Sequence, residues 1–313
     1  MTVSTPTTLD LPEGVRRTTA ESDRGTFAVL EAVPAAGPIE LGTALLVPGY
    51  TGSKEDFIPV LGQLAAAGRR VLAIDMRGQY ETPGPDDPAA YHPEQLGEDI
   101  AALAEATATA HLLGHSFGGL VAREAVLRQD EPSVTSLTLL SSGPAALPGD
   151  RASELRFMLT ALGDARGKDL ARKIGEIWHG YLEPQAVADG VPARIVAFLK
   201  ERMLANNPAG LVTMAAGLLS AEDRTADLAK RGIPTFVLYG ENDNAWPAAV
   251  QEEMAATLNA RRACIPGATH SPAVEAPATT AHALTKFWNE AEGITAPAVV
   301  TAGRGLAPAA ASR

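Results

Sequence analysis

A serine lies between two glycines in Gly114-His-Ser-Phe-Gly118, a stretch with the pattern Gly-x-Ser-x-Gly. This spacing is typical of a sharp turn from a strand into a helix, with the serine hydroxyl exposed at its tip. Side chains at Gly114 and Gly118 would collide across such a turn, so both positions need glycine. The hydroxyl of Ser116 would lie at a helix N-terminus, where the helix dipole favours developing negative charge. We predict that Ser116 is a nucleophile for acyl transfer.

A serine nucleophile needs a general base, and His270 is the best placed of the six histidines. It lies in a loop directly after a late predicted strand, where a side chain has both access and freedom to move. His111 falls in a predicted strand, and His179 and His282 fall in predicted helical segments. His92 lies in a polar loop, and His115 neighbours the serine but is expected to point to the opposite side of the turn. We predict His270 as the general base.

An acidic residue must orient the histidine, and Asp243 follows the predicted strand Thr235–Tyr239. A carboxylate there can accept the ring proton of the histidine and stabilise the imidazolium that forms when serine loses its proton. Glu241 is the nearest alternative. The chain order serine, aspartate, histidine also favours a catalytic role for His270 over that of a surface loop residue.

Acyl transfer further requires two N–H groups directed at the tetrahedral oxygen. The first is predicted to be the amide of Phe117, directly after the serine. The second is expected from the loop Pro48-Gly-Tyr-Thr-Gly52, from Tyr50 with Thr51 as the alternative, since the two glycines let the backbone approach a substrate.

The elements that position these residues alternate between short apolar strands and helices from Gly42 to Leu140. Near-continuous apolar strands separated by helices indicate a parallel sheet covered on both faces. The alternation stops after Ser141, continues as helical periodicity alone, and returns at Ile233. Weak alternation within Arg16–Ala32 leaves one or two edge strands open.

These patterns divide the chain into four parts. The predicted ranges are an irregular N-terminal segment at 1–25, an α/β core at 26–142 and 231–292, an inserted helical segment at 143–230, and a flexible tail at 293–313.

Composition narrows the classes of partner. A formal charge of −11 argues against nucleic acid and against anionic membranes, both of which attract clustered lysine and arginine. A single cysteine, Cys264, excludes an intramolecular disulfide and a cysteine metal cluster. The N-terminus has no basic start followed by an apolar run, and no stretch reaches the roughly 18 apolar residues of a membrane span. We expect a cytoplasmic protein with a small-molecule substrate, no metal and no cofactor, and leave a homodimer open.

Taken together, the motifs resemble the α/β-hydrolase superfamily over roughly Gly42 to Trp288. The stretches that carry the resemblance are Pro48-Gly-Tyr-Thr-Gly-Ser53, Asp75-Met-Arg-Gly78, Gly114-His-Ser-Phe-Gly-Gly119, Gly240-Glu-Asn-Asp243 and His270-Ser-Pro-Ala-Val-Glu-Ala-Pro277. The resemblance implies an eight-stranded, mostly parallel sheet flanked by helices, with a helical cap over the active site.

Two positions depart from the family pattern. Pro48 stands where a histidine usually precedes the glycine, which removes a side chain that often braces the loop. The loop after Asp75 reads Arg77-Gly78-Gln79-Tyr80 where a second glycine is common, which would reshape one wall of the pocket.

The nucleophile narrows the chemistry that the resemblance implies. Haloalkane dehalogenases and epoxide hydrolases of this fold use aspartate where Ser116 stands, so a serine implies acyl transfer. We predict a hydrolase that cleaves a carboxylic ester, or a related acyl bond, of a small, partly apolar substrate through an acyl-enzyme. The alternatives are a cofactor-free haloperoxidase or perhydrolase, a carbon–carbon bond hydrolase, and a binding protein that keeps the fold without catalysis.

Overall fold

The computed structural model describes residues 4–35 and 41–294 of the chain. Within these residues, eight strands form one sheet. The strands are β1 (Val15–Ser22), β2 (Gly25–Ala32), β3 (Leu41–Val47), β4 (Arg69–Ile74), β5 (Thr109–His115), β6 (Ser136–Leu140), β7 (Thr235–Gly240) and β8 (Arg261–Ile265).

The sheet has the strand order β1-β2-β4-β3-β5-β6-β7-β8. The pairings of β2 with β1 and with β4 are antiparallel, and the remaining five pairings, from β4 to β8 in the strand order, are parallel. The predicted fold class, a mostly parallel eight-stranded sheet flanked by helices, is therefore confirmed. In a parallel sheet the carboxyl ends of the strands meet at one edge, and the loops that follow β3, β5, β7 and β8 carry the predicted site residues.

The helices cover both faces of the sheet and also fill the long connection between β6 and β7. They are α1 (Ile58–Ala66), α2 (Pro93–Ala106), α3 (Phe117–Leu127), α4 (Gly149–Leu162), α5 (Gly167–Ile177), α6 (Glu183–Ala188), α7 (Ala193–Ala205), α8 (Pro208–Ser220), α9 (Thr225–Lys230), α10 (Ala248–Thr257), α11 (Pro272–Glu275) and α12 (Pro277–Ala291). A short π-helical turn, Trp178–Leu182, joins α5 to α6.

Strand β3 shows how the two apolar layers arise. Successive side chains of a strand point to opposite faces. Leu45 and Val47 belong to the apolar cluster that includes α2, α3 and α10, whereas Ala44 and Leu46 belong to the cluster that includes α1 and α12. All four side chains are fully buried. Burial on both faces explains why this strand has a continuous apolar sequence rather than an alternating one.

The connection between β6 and β7 consists of helices α4 to α9, and none of the described residues from 143 to 230 forms a strand. Its buried side chains, including Leu155 and Met214, belong to the same apolar cluster as those of α2 and α3. The loop after β4 ties this segment to the core, because the carbonyl of Gly78 accepts a 2.8 Å hydrogen bond from the amide of Asn207. The ring of Tyr80 also packs edge-on against Phe198, with 5.6 Å between the ring centres.

The edge strands left open within Arg16–Ala32 are present as β1 and β2, but the predicted boundary at residue 25 is wrong. Strand β1 lies inside the range 1–25 predicted as irregular, and it pairs with β2 along its whole length. Its burial is only partial, which is why its alternation is weak in the sequence. At the C-terminal end of the core, helices α11 and α12 are separated at Ala276, where φ is −140°. The following Pro277 disfavours helical backbone at that residue. The predicted tail 293–313 lies outside the described residues except for its first two.

None of the helices in the described ranges combines the length and the apolar character that a bilayer span requires.

Candidate active site

Ser116 occupies the turn between β5, which ends at His115, and α3, which begins at Phe117. Its backbone has φ 54° and ψ −120°, outside the regions that residues with side chains prefer. A Cβ at Gly114 would lie 2.1 Å from the carbonyl oxygen of Gly118, and one at Gly118 would lie 2.3 Å from that of Pro48. Both glycines are therefore required by backbone contacts, as the sequence pattern indicated.

A continuous chain of hydrogen bonds joins the three side chains predicted for catalysis. Nε2 of His270 lies 2.9 Å from Oγ of Ser116, and Nδ1 of the same ring lies 3.0 Å from Oδ1 of Asp243. The three residues stand on the turn after β5, the loop after β7 and the loop after β8. All three are buried, with 8 to 9% of each residue exposed.

Asp243 is fixed by further partners besides the histidine. Its Oδ1 accepts a hydrogen bond from the amide of Ala245, and its Oδ2 accepts one from the side-chain amide of Gln251, both at 2.9 Å. Burial alone would raise the pKa of Asp243, but the hydrogen bonds and the charge of His270 outweigh it and hold the pKa below its ordinary value. The carboxylate therefore stays charged. The alternative acid, Glu241, instead accepts a hydrogen bond from the amide of Gly267.

His115 contacts His270, which its position in the sequence did not suggest. We expected it to point to the opposite side of the turn, but its Nε2 donates a 2.8 Å hydrogen bond to the backbone carbonyl of His270. The two rings lie 5.1 Å apart. Burial, together with the positive charge of His270, lowers the pKa of His115 to about 3. A neutral ring beside the serine thus holds the loop that carries His270.

The loop after β3 passes directly beside the serine. A Cβ at Gly49 would lie 3.1 Å from Cβ of Ser116, and the amide of Gly52 closes the turn on the carbonyl of Gly49 at 3.1 Å. Tyr50 and Thr51 thus lie next to the predicted nucleophile. The hydroxyl of Tyr50 is buried and has no hydrogen-bond partner among the described residues. The assignment of the Tyr50 and Phe117 amides as oxyanion donors remains a prediction.

Gln79 braces this loop from the loop after β4. Its side-chain amide donates a 2.9 Å hydrogen bond to the carbonyl of Gly49, and its own side-chain oxygen accepts one of 3.3 Å from the amide of Met76. Only 1% of Gln79 is exposed. The brace that Pro48 cannot provide is thus supplied by a neighbouring loop. In the sequence, the only indication of this role for Gln79 is that a polar residue follows the stretch Asp75-Met-Arg-Gly78.

A small cavity of about 60 Å³ opens above the serine. Side chains and backbone from the core, from α4 and α8, and from the N-terminal segment form its walls. The lining residues are Ser4, Gly49, Tyr50, Thr51, His115, Ser116, Leu147, Arg151, Leu155, Leu218, Ala245 and His270. The leucines give it an apolar side, and Arg151 supplies the permanent positive charge among these twelve residues.

The fold and this arrangement are those of a known family. The sequence model described as "Alpha/beta hydrolase family" matches residues 44–283. The chain therefore belongs to the α/β-hydrolase family, as the motifs indicated.

Two of the curated relatives are named as hydrolytic enzymes. RutD of Variovorax paradoxus, assigned as a carbamate hydrolase, is 34% identical over 224 residues, which are 70% of this chain and 80% of that protein. The pimeloyl-[acyl-carrier protein] methyl ester esterase of Edwardsiella ictaluri is 29% identical over 78% of this chain and 92% of its own length.

Solved structures agree in fold. A thermophilic esterase from Thermogutta terrifontis superposes with a TM-score of 0.66, covering 88% of this chain and 99% of the esterase. At 22% sequence identity this likeness concerns the fold alone.

Proposed function

We propose that the protein is a serine hydrolase that cleaves a carboxylic ester, or a related acyl bond, of a small and partly apolar substrate. The observation that carries the proposal is the unbroken hydrogen-bond chain from Asp243 through His270 to Oγ of Ser116. This is the relay that a weak hydroxyl nucleophile needs to lose its proton. The carbamate hydrolase and the methyl ester esterase among the relatives support cleavage of an acyl bond.

The first half of the reaction forms an acyl-enzyme. Nε2 of His270 takes the proton from Ser116 as Oγ attacks the carbonyl carbon of the substrate. The oxyanion is stabilised by the amides of Tyr50 and Phe117, and Asp243 stabilises the imidazolium. When the tetrahedral intermediate collapses, the bond to the alcohol breaks and the leaving oxygen takes the proton from His270.

Water completes the cycle. His270 removes a proton from a water molecule, whose oxygen attacks the acyl carbon. The second tetrahedral intermediate uses the same oxyanion donors, and its collapse releases the carboxylic acid and returns the proton to Ser116. The low pKa of Asp243 suits this role, since a carboxylate that stays charged fixes one tautomer of the histidine throughout.

The helices between β6 and β7 act in this proposal as a cap. Leu147, Leu155 and Leu218 belong to the inserted segment and line the cavity above Ser116. Their apolar surface favours an apolar acyl group, since removal of apolar surface from water stabilises binding.

The test is hydrolysis of p-nitrophenyl acetate and butyrate by the wild type and by Ser116→Ala, together with labelling by a fluorophosphonate probe. We expect turnover and labelling in the wild type, and a loss of several orders of magnitude in the variant. Equal rates in both proteins would reject the proposal. Peracid formation from acetate and hydrogen peroxide, assayed in parallel, separates a hydrolase from a perhydrolase.

A further inference from the structure

The N-terminal segment, residues 4–14, runs from the core to the cavity above Ser116. At one end, Pro12 packs against Gly62 on α1, and at the other Ser4 lines the cavity together with the serine. Between them, Pro6 is buried and Leu9 packs against the main apolar cluster. The first residues of a chain are usually frayed unless contacts tie them down. This segment has such contacts along its length.

Arg202 on α7 is the anchor at the cavity end. Its guanidinium donates a 2.6 Å hydrogen bond to the backbone carbonyl of Ser4 and a 2.8 Å bond to Oδ1 of Asp56. It also lies over the ring of Phe198, at 5.3 Å from the ring centre. Arg202 has no exposed surface. One buried side chain therefore connects the inserted helices, the segment after β3 and the N-terminal segment.

Because Arg202 is buried, its hydrogen bond to Ser4 matters more for stability than a surface contact would. A buried cation is tolerated where its charge is paired and its N–H groups are all hydrogen-bonded. Asp56 supplies the charge, and the carbonyl of Ser4 satisfies a donor that would otherwise be buried without a partner. By contrast, the ion pair between Arg194 and Asp10, on the same helix and the same segment, has both side chains more than half exposed. Such surface pairs contribute little to stability.

The size of the cavity limits the length of the acyl chain that can bind beside the N-terminal segment. A volume of about 60 Å³ has room for roughly four to six water-sized groups, which suits an acyl chain of a few carbons. Ser4 is a wall of this space that belongs neither to the α/β core nor to the inserted helices.

We propose that the N-terminal segment, held by Arg202, closes one side of the acyl-binding cavity and restricts the enzyme to short acyl groups. This inference rests on the proposed function, because it concerns the acyl group of the proposed ester substrate.

The experiment compares the wild type with a variant lacking residues 2–5, using p-nitrophenyl acetate, butyrate and octanoate. Removal of the wall opens space for a longer chain. We expect the ratio of kcat/KM for octanoate to kcat/KM for acetate to rise by about tenfold or more, since individual methylene groups in a fitted pocket discriminate on that scale. An unchanged ratio in a folded variant would overturn the inference.

Matched substitutions on α7 separate the anchor from a general effect on the helix. In Arg202→Lys an ammonium replaces the forked guanidinium and cannot keep both hydrogen bonds in the same geometry. We expect the octanoate-to-acetate ratio to rise in this variant as well. Arg194→Lys, at the exposed pair, should keep the wild-type ratio. The same ratio in Arg202→Lys as in Arg194→Lys would contradict the role of the anchor.

Ser4→Trp provides the opposite change and does not depend on the deletion variant being folded. A larger side chain at the wall should lower kcat/KM for butyrate more than for acetate, and equal effects on the two esters would count against the inference.

The same assays distinguish failure of the proposed function from failure of the acyl restriction. Absence of turnover and labelling in the wild type rejects the proposed function and the acyl restriction together, whereas turnover with an unchanged ratio rejects the restriction alone.

Discussion

The side-chain amide of Gln79 donates a 2.9 Å hydrogen bond to the carbonyl of Gly49, and thereby joins the loop after β4 to the loop that passes beside Ser116. Gly49 precedes Tyr50, whose amide is the proposed second oxyanion donor. A donor stabilises the transition state only when it lies at the right distance from the developing charge. In the proposed mechanism, the orientation of the peptide groups next to Gly49 would therefore determine how well the loop stabilises the oxyanion.

Replacement of Gln79 should impair turnover rather than binding. Gln79→Met keeps the volume of the side chain but removes the hydrogen bond, so the loop loses its brace. We expect kcat for p-nitrophenyl butyrate to fall by about 10- to 100-fold with little change in KM, because small displacements of reacting groups cost on that order. Steady-state kinetics measures both constants.

Gln63→Met is the matched control for this change. Gln63 also donates its side-chain amide to a backbone carbonyl, that of Pro59, but on the exposed side of α1. It should retain wild-type kinetics. A fall in kcat that is accompanied by an equal rise in KM, or by a large drop in melting temperature, would mean that Gln79 is merely structural.

Asp243 and Glu241 are close in sequence, but only Asp243 contacts His270. Asp243→Asn retains the shape of the side chain and removes the charge that fixes the histidine tautomer. We expect kcat/KM to fall by about 10⁴-fold, as for the corresponding change in other serine enzymes. Glu241→Gln should lose less than about tenfold, because its partner is only the amide of Gly267. A larger loss of ester hydrolysis in Glu241→Gln than in Asp243→Asn would instead assign Glu241 as the catalytic acid.

The buried histidines predict how stability depends on pH. Burial lowers the pKa of His115 to about 3 and that of His111 to about 4, from the ordinary value of 6.5. Below pH 6.5 the unfolded chain therefore binds protons that the folded protein does not. The free energy of unfolding should fall as the pH drops, with a slope of up to about 1.4 kcal/mol per pH unit for each histidine.

His115→Gln tests this slope, because its amide can still donate to the carbonyl of His270 but does not titrate. Between about pH 7.5 and about pH 5, the variant should lose about 2 kcal/mol less unfolding free energy than the wild type. Urea denaturation at the two pH values measures the difference. An equal loss in both proteins would show that protonation of His115 does not oppose folding.

Gly118 should be intolerant of any side chain. A Cβ there would lie 2.3 Å and 2.6 Å from the carbonyl oxygens of Pro48 and Val47, and both are backbone atoms that cannot move without displacing β3. We expect Gly118→Ala to lose about 3 kcal/mol or more of unfolding free energy. Gly180→Ala is the control, since no atom beyond its adjoining residues and its own helical backbone lies within 4 Å of the added carbon. Equal stability of the two variants would contradict the close packing of the turn.

The parts of the fold that the sequence predicted best are those with a strong local pattern. Strand β5 and the turn at Ser116 combine an apolar run with glycines at fixed spacing. Strand β1 was harder to detect, because a half-exposed edge strand needs few apolar residues and derives its structure from pairing with β2.

The missed residues of the site act through contacts between segments far apart in the chain. Gln79 and His115 each donate to a backbone carbonyl, and no feature of the acceptor's sequence marks it as a partner. The contact of Ser4 with Arg202 joins residues that are 198 positions apart. Such pairs depend on tertiary structure, so a single sequence does not predict them.

The backbone of Ser116 has one more consequence. Glycine adopts positive φ freely, whereas a residue with a side chain is strained there by about 1 to 3 kcal/mol. Ser116→Gly should therefore melt at a higher temperature than the wild type while hydrolysing nothing. Under the proposed function, the strained backbone of Ser116 is therefore a loss of stability that selection for catalysis maintains.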